Sequence, residues 1–159
     1  MDNIANANIN LEGYIPKDLC KIIAEEAATN EHFDNVYRVA KWGKIEERAF
    51  LSTYGEVLEG YIPEDEERRP KNDIGTYSIS VYTERKSCDK FINMLKGKLR
   101  KKYPCPIVIR GKTSNGFVQR TIERKPNYPN PTHVDWWLFK DKREVILKDF
   151  VLCDCEMIS

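Results

Sequence analysis

The sequence predicts an α+β fold: N-terminal helices packed on a mainly antiparallel sheet that contains one β–α–β crossover. Three observations lead there. Apolar residues at helical spacing run through the early part of the chain, and period-two alternation recurs in the second half. One long amphipathic segment, residues 84–103, separates two of the alternating stretches. The 159 residues, 41% apolar and 32% charged, suit a single globular domain with a sizeable core.

Residues 1–13 are rich in Asn and read as loosely ordered. Pro16 opens a helix, at a position where its missing N–H costs little. Leu19, Ile22, Ile23 and Ala27 share its apolar face, and Asn30 is the stop. Phe33, Val36, Tyr37 and Ala40 recur at similar spacing, which predicts a second, shorter helix ending near Gly43. In "KIEERAFLSTYGEVLEGYIP", Ala49, Phe50, Leu51 and Tyr54 suit a helix face, while Thr53 and Gly55 weaken it. "EDEERRPKND" (64–73) is a charged, proline-broken connector. It divides the single domain into an acidic helical part (1–63) and a basic α/β part (74–159). "LEGYIPKD" (11–18) returns as "LEGYIPED" (58–65), but the residues that follow do not match, so the echo is a repeated turn phrase and not a solenoid.

"GTYSISVYT" alternates Tyr77, Ile79 and Val81 with Ser78, Ser80 and Tyr82, as a half-buried strand does. Thr83 caps a helix whose apolar face is Cys88, Phe91, Ile92, Leu95, Leu99 and Tyr103, and Pro104 ends it. "PIVIRGKT" returns as a strand and completes the crossover. Asn115-Gly116 is a strong hairpin signal, joining that strand to "FVQRTIE". "RKPNYPNP" is a loop, "THVDWWLF" a strand with Val134, Trp136 and Leu138 on its core side, and "EVILKDFVLC" a last strand.

Net charge is only +1, but it is unevenly spread. Residues 1–70 hold 8 Lys/Arg against 15 Asp/Glu, and residues 71–159 hold 18 against 10. That asymmetry points to an anionic partner for the second half, or to internal pairing of the two halves. No apolar run approaches the roughly 20 residues that span a bilayer. The N-terminus lacks the pattern of a secretory signal, so a cytoplasmic protein without membrane association is expected. Five cysteines give no paired framework, and Cys153-Asp154-Cys155 has no second Cys or His pair at zinc spacing. There is no P-loop, dinucleotide fingerprint or His-Glu-x-x-His, so neither a cofactor nor a metal is expected.

The candidate site follows from strand faces. With Asn115 and Gly116 as hairpin turn residues, Arg110, Lys112, Gln119 and Thr121 share one face. In "THVDWWLF", His133, Asp135 and Trp137 lie opposite the core side. Alignment of these strands would collect a basic, hydrogen-bonding patch beside a histidine, a carboxylate and an aromatic ring. For the four polar hairpin residues the favoured reading is a plain solvated sheet face, which accounts for them with no function at all. It does not explain Trp137 and Phe139, which need a cover: the N-terminal helices or a ligand.

With "YSISVYT", "IRGKT", "GFVQRT" and "HVDWWLF" in order, residues 75–140 resemble small uncharacterised proteins of Firmicutes-type bacteria and their mobile elements. The resemblance implies a bacterial cytoplasmic protein of phage or mobile-element origin and no particular activity. Two functional expectations stand. The first is a binding or accessory module whose basic face (Arg110, Lys112, Gln119, Thr121, Trp137) takes a nucleotide, a nucleic acid or an acidic protein. The second is a small enzyme acting on a phosphate-containing or nucleotide substrate, with His133 as acid/base and Asp135 beside it. The first is favoured, because residues two apart on a strand sit about 6–7 Å apart at Cα and leave the acid/base pair incomplete.

Overall fold

Six strands form one sheet in the computed structural model, which describes residues 10–153. They are β1 (Val36–Ala40), β2 (Ile79–Tyr82), β3 (Ile107–Gly111), β4 (Gly116–Arg120), β5 (His133–Leu138) and β6 (Phe150–Leu152). Their order is β4-β5-β2-β1-β3-β6, and every pairing is antiparallel. The helices are α1 (Lys17–Ala27), α2 (Thr53–Leu58), α3 (Arg85–Asn93), α4 (Gly97–Lys102) and α5 (Thr121–Arg124). Short 3₁₀ turns lie at Glu47–Phe50, Ile74–Tyr77 and Val145–Asp149. The fold is therefore α+β, with the N-terminal helix packed on an antiparallel sheet.

Five expectations are corrected. The segment around Val36, Tyr37 and Ala40 is strand β1, not a helix. It pairs on both sides and lies near the sheet's centre, so its apolar residues face both ways. A short run apolar on both faces matches helical spacing as well as strand spacing, and only the neighbours decide. Because β1 sits between β2 and β3, those two strands do not pair and the expected β–α–β crossover is not formed. The hairpin at Asn115-Gly116 is also absent: β3 pairs with β1 and β6, and β4 pairs with β5. The long helix over 84–103 is broken into α3 and α4 at Gly97, whose φ is +58°. The last predicted strand opens with a 3₁₀ turn and keeps only β6. Residues 1–9 and Cys155 lie outside the described residues.

The turn at Asn115-Gly116 has a different task. Residues 112–115 must carry the chain from β3 to β4, which are four strand spacings apart in the sheet order. A flat sheet would put them about 19 Å apart, more than four residues comfortably span. The sheet is therefore curled. Inside the curl lie Val36, Ala40, Ile79, Val81, Ile109, Val118, Val134, Trp136 and Leu138, closed by Phe50, Ile146 and Phe150. Val134, Trp136 and Leu138 are core, as the alternation predicts. On the outer face, α1 packs Leu19, Ile23 and Ala27 against Trp137, Ile74 and Tyr77. Further along the same face, α3 sets Cys88 against Val39, Val108 and Cys153. No helix among the described residues is long and apolar enough to cross a membrane.

Candidate functional site

Between the areas covered by α1 and α3, the outer face carries a row of polar side chains. Asp135 on β5 is opposite Ser80 on β2 and Gln119 on β4. His133, two residues before Asp135, is opposite Tyr82. Strand pairing thus puts His133, Asp135, Ser80 and Gln119 on one surface.

One hydrogen-bonded chain joins them. The Asp135 carboxylate accepts from Ser78 Oγ at 2.6 Å, from Thr121 Oγ1 at 2.9 Å and from Arg124 Nη2 at 2.9 Å. Thr121 Oγ1 also lies 2.5 Å from His133 Nδ1, and His133 Nε2 lies 2.8 Å from Ser80 Oγ. A hydroxyl has one proton. Thr121 gives its own to Asp135, so the Thr121 oxygen accepts from a protonated Nδ1. That tautomer leaves Nε2 with a lone pair facing Ser80, which donates to it. Asp135 therefore orients His133 through the Thr121 hydroxyl.

His133 is held neutral. Burial lowers its pKa from the usual 6.5; the Asp135 carboxylate opposes that shift, while the positive charges of Arg124, Arg38 and Lys125 add to it. The ring also lies 5.4 Å from the Tyr82 ring and 5.0 Å from the Tyr128 ring, centroid to centroid. On the other side of Asp135, Arg124 Nη1 donates to Gln119 Oε1 at 2.6 Å, and Gln119 Nε2 donates to Glu26 Oε1 of α1 at 2.8 Å. Arg124 Nε is buried with no hydrogen-bond partner.

A cleft of about 180 Å³ opens over this network. Its walls include Arg68, Arg69, Arg124 and Lys125 around the His133–Asp135 floor, with Asp73 as a second carboxylate. Burial pushes the Asp73 pKa up, but the hydrogen bonds from Lys125, at 2.5 Å, and from the Gly75 N–H outweigh it and hold the group below its usual value. A neighbouring recess is lined by Arg38, Lys41, Leu51, Glu56 and Phe91. The two share Thr53 and Ser80, so the half-buried Ser80 stands at their junction. Arg38 is buried, donating to the carbonyls of Ala49, Leu51 and Ser80. Lys41 pairs with Glu56 at 2.9 Å, and burial lowers its pKa.

Of the residues singled out from sequence, His133, Asp135, Gln119 and Thr121 come together. Arg110 and Lys112 do not join them. Arg110 shares a cross-strand row with Tyr37, Tyr82 and His133, but it stands three strands away from His133, about 14 Å along the sheet. Lys112 follows the end of β3, and neither residue lines the cleft. The hairpin that would bring them beside Gln119 and Thr121 does not form. Trp137 is buried beneath α1, with Nε1 donating to the Ile74 carbonyl at 2.9 Å, so the helix and not a ligand covers it. Sequence reasoning missed Ser80, Ser78, Arg124, Lys125 and the Arg68-Arg69 pair. The polar side of "YSISVYT" was the available signal for the two serines. No group of three or more His, Cys, Asp or Glu among the described residues is arranged to hold a metal ion. Compared with known proteins, the chain matches no family model, no curated protein and no solved structure, so function rests on this site's geometry.

Proposed function

We propose that the cleft above His133 and Asp135 binds a small anionic ligand that carries a phosphate-like group. The observation behind this reading is the set of four cationic side chains, Arg68, Arg69, Arg124 and Lys125, that line a cleft whose lining carboxylates are Asp135 and Asp73. Asp135 is already engaged by three donors, and Asp73 by Lys125. Among the described residues, Arg68 and Arg69 make only long ion-pair contacts, to Asp65 at 4.0 and 3.9 Å, so their guanidinium groups have donors to offer a ligand. A cleft of this size takes a compact group, whereas an extended nucleic acid needs a longer stripe of cations. The anionic partner expected from sequence is thus kept, and its seat moves from the β3–β4 surface to the β5–β2 cleft.

Calorimetric titration with inorganic pyrophosphate tests the reading. Binding is expected with Kd of about 1 mM or tighter. It weakens by about tenfold or more in Arg69→Ala/Lys125→Ala, and it weakens with added salt. No binding, or equal binding in the double variant, overturns it.

A further inference from the structure

The cleft holds more than binding groups. Ser80 Oγ contacts a histidine nitrogen whose lone pair faces it, and a carboxylate fixes that histidine's tautomer through a threonine hydroxyl. A nucleophile, a base and an orienting group in mutual contact are what an acyl-transfer site requires. The hydroxyl stands where two recesses meet, so a substrate can lie across it. A solvated sheet face does not call for this order. There, a histidine would have water on one nitrogen, whereas both nitrogens of His133 are taken by hydroxyls and its ring lies between Tyr82 and Tyr128.

We infer that Ser80 is the nucleophile of an acyl-transfer reaction on a carboxylic ester that bears an anionic group, with His133 as its base and Thr121–Asp135 as positioning residues. The anionic group rests on the binding reading above and sits among Arg68, Arg69 and Lys125. In the first step the Ser80 Oγ–H proton moves to His133 Nε2 as Oγ bonds to the ester carbonyl carbon. The tetrahedral intermediate then collapses, the bond from carbon to the alcohol oxygen breaks, and Nε2 returns the proton to the departing alcohol. Water next attacks the Ser80 ester, giving its proton to Nε2 and releasing the carboxylic acid as Oγ is reprotonated. The sum is ester plus water giving acid plus alcohol.

One histidine serves both halves of this sequence because attacking and leaving oxygens lie on the same side of a tetrahedral carbon. An in-line displacement at phosphorus would place the leaving oxygen opposite His133 and need a second acid there. Arg38, which donates to the Ser80 carbonyl at 2.6 Å, lines the recess beside Ser80 and brings a positive charge to the side of the site on which an oxyanion would be stabilised.

A neutral fluorophosphonate, which reacts with activated serine hydroxyls and needs no anion site, tests the nucleophile directly. Mass spectrometry of peptides is expected to find one adduct, on Ser80, and none in Ser80→Ala. The labelling rate is expected to fall by about 100-fold in His133→Gln. It should also fall in wild type as pH drops through the range where His133 protonates. The groups facing that ring are Tyr82, Tyr128 and Ser80, and, by charge, Asp135, Arg124, Arg38 and Lys125. Thr121→Val removes only the bridging hydroxyl and is expected to slow labelling while circular dichroism stays native; it replaces His133→Gln if that variant does not fold. Absence of an adduct, an adduct elsewhere, or equal rates in wild type and the bridge variant overturns the inference. Pyrophosphate binding without an adduct would leave the anion site and remove the nucleophile. An adduct without pyrophosphate binding would do the reverse.

Discussion

Asp135 is the residue on which the network depends. Its side chain is 2% exposed, and among the described residues Arg124, 14% exposed, supplies the only opposite charge in direct contact. Burying both groups cost solvation that their contact repays, so removing one partner strands the other. Arg124→Ala is expected to destabilise the protein by about 3–5 kcal/mol in urea unfolding. His133 gives a pH signature. Its pKa is lowered in the folded state, so above about pH 6.5 it is neutral whether folded or not. As pH falls below that value, the unfolded chain takes up a proton that the folded protein resists, and stability drops. The urea midpoint should therefore decline below about pH 6.5 and level off once the folded form also protonates. In His133→Gln this component of the pH dependence should vanish.

At the scale of elements, two close approaches fix where strands meet. Gly116 begins β4 against the backbone of Trp137, and any Cβ there would overlap the Trp137 carbonyl oxygen. Gly111 ends β3 against Asp149 and Phe150 in the same way. Gly116→Ala is expected to cost about 1–3 kcal/mol, read from the thermal midpoint, because backbone and not a flexible side chain must move. α1 is tied to the sheet by its apolar face and by Asn30, whose Nδ2 donates to the Val118 carbonyl at 2.8 Å. Ile23 is fully buried there, and Ile23→Ala should cost about 2–5 kcal/mol. That loss should also weaken pyrophosphate binding, because Glu26 of α1 holds Gln119, which holds Arg124.

Across the whole molecule, stability is graded from the sheet's centre outward. β1, β2 and β5 have partners on both sides and face the main core. β6 has three residues and one partner, with Val151 and Leu152 exposed. Amide exchange is expected to be slowest in β1, β2 and β5 and fastest among the strands in β6, by mass spectrometry of peptides. The cleft floor is thus built on the slow strands β5 and β2, while its cationic walls come from the 68–69 connector and the 121–125 segment. Groups carried on paired strands are held more precisely than groups on loops, which suits the contact between His133 and Ser80.

Local pattern by itself determined α1, the β2 and β5 strands, and the division of "THVDWWLF" into a core side and a polar side. Those features follow from spacing along a single element, which any partner must respect. It also marked His133, Asp135, Gln119 and Thr121. Only the tertiary structure decided that residues 36–40 form a strand, since a run buried on both faces carries no preferred period. That strand parts β2 from β3, the curled sheet replaces the hairpin, and Arg110 and Lys112 leave the site with it. The neighbours of His133 come from β2 and α5, and Arg68 and Arg69 arrive from the connector. Strand pairing joins residues by register and not by distance along the chain, so His133 could be marked in the sequence, while its pairing with Ser80 and with the cations of the cleft could not.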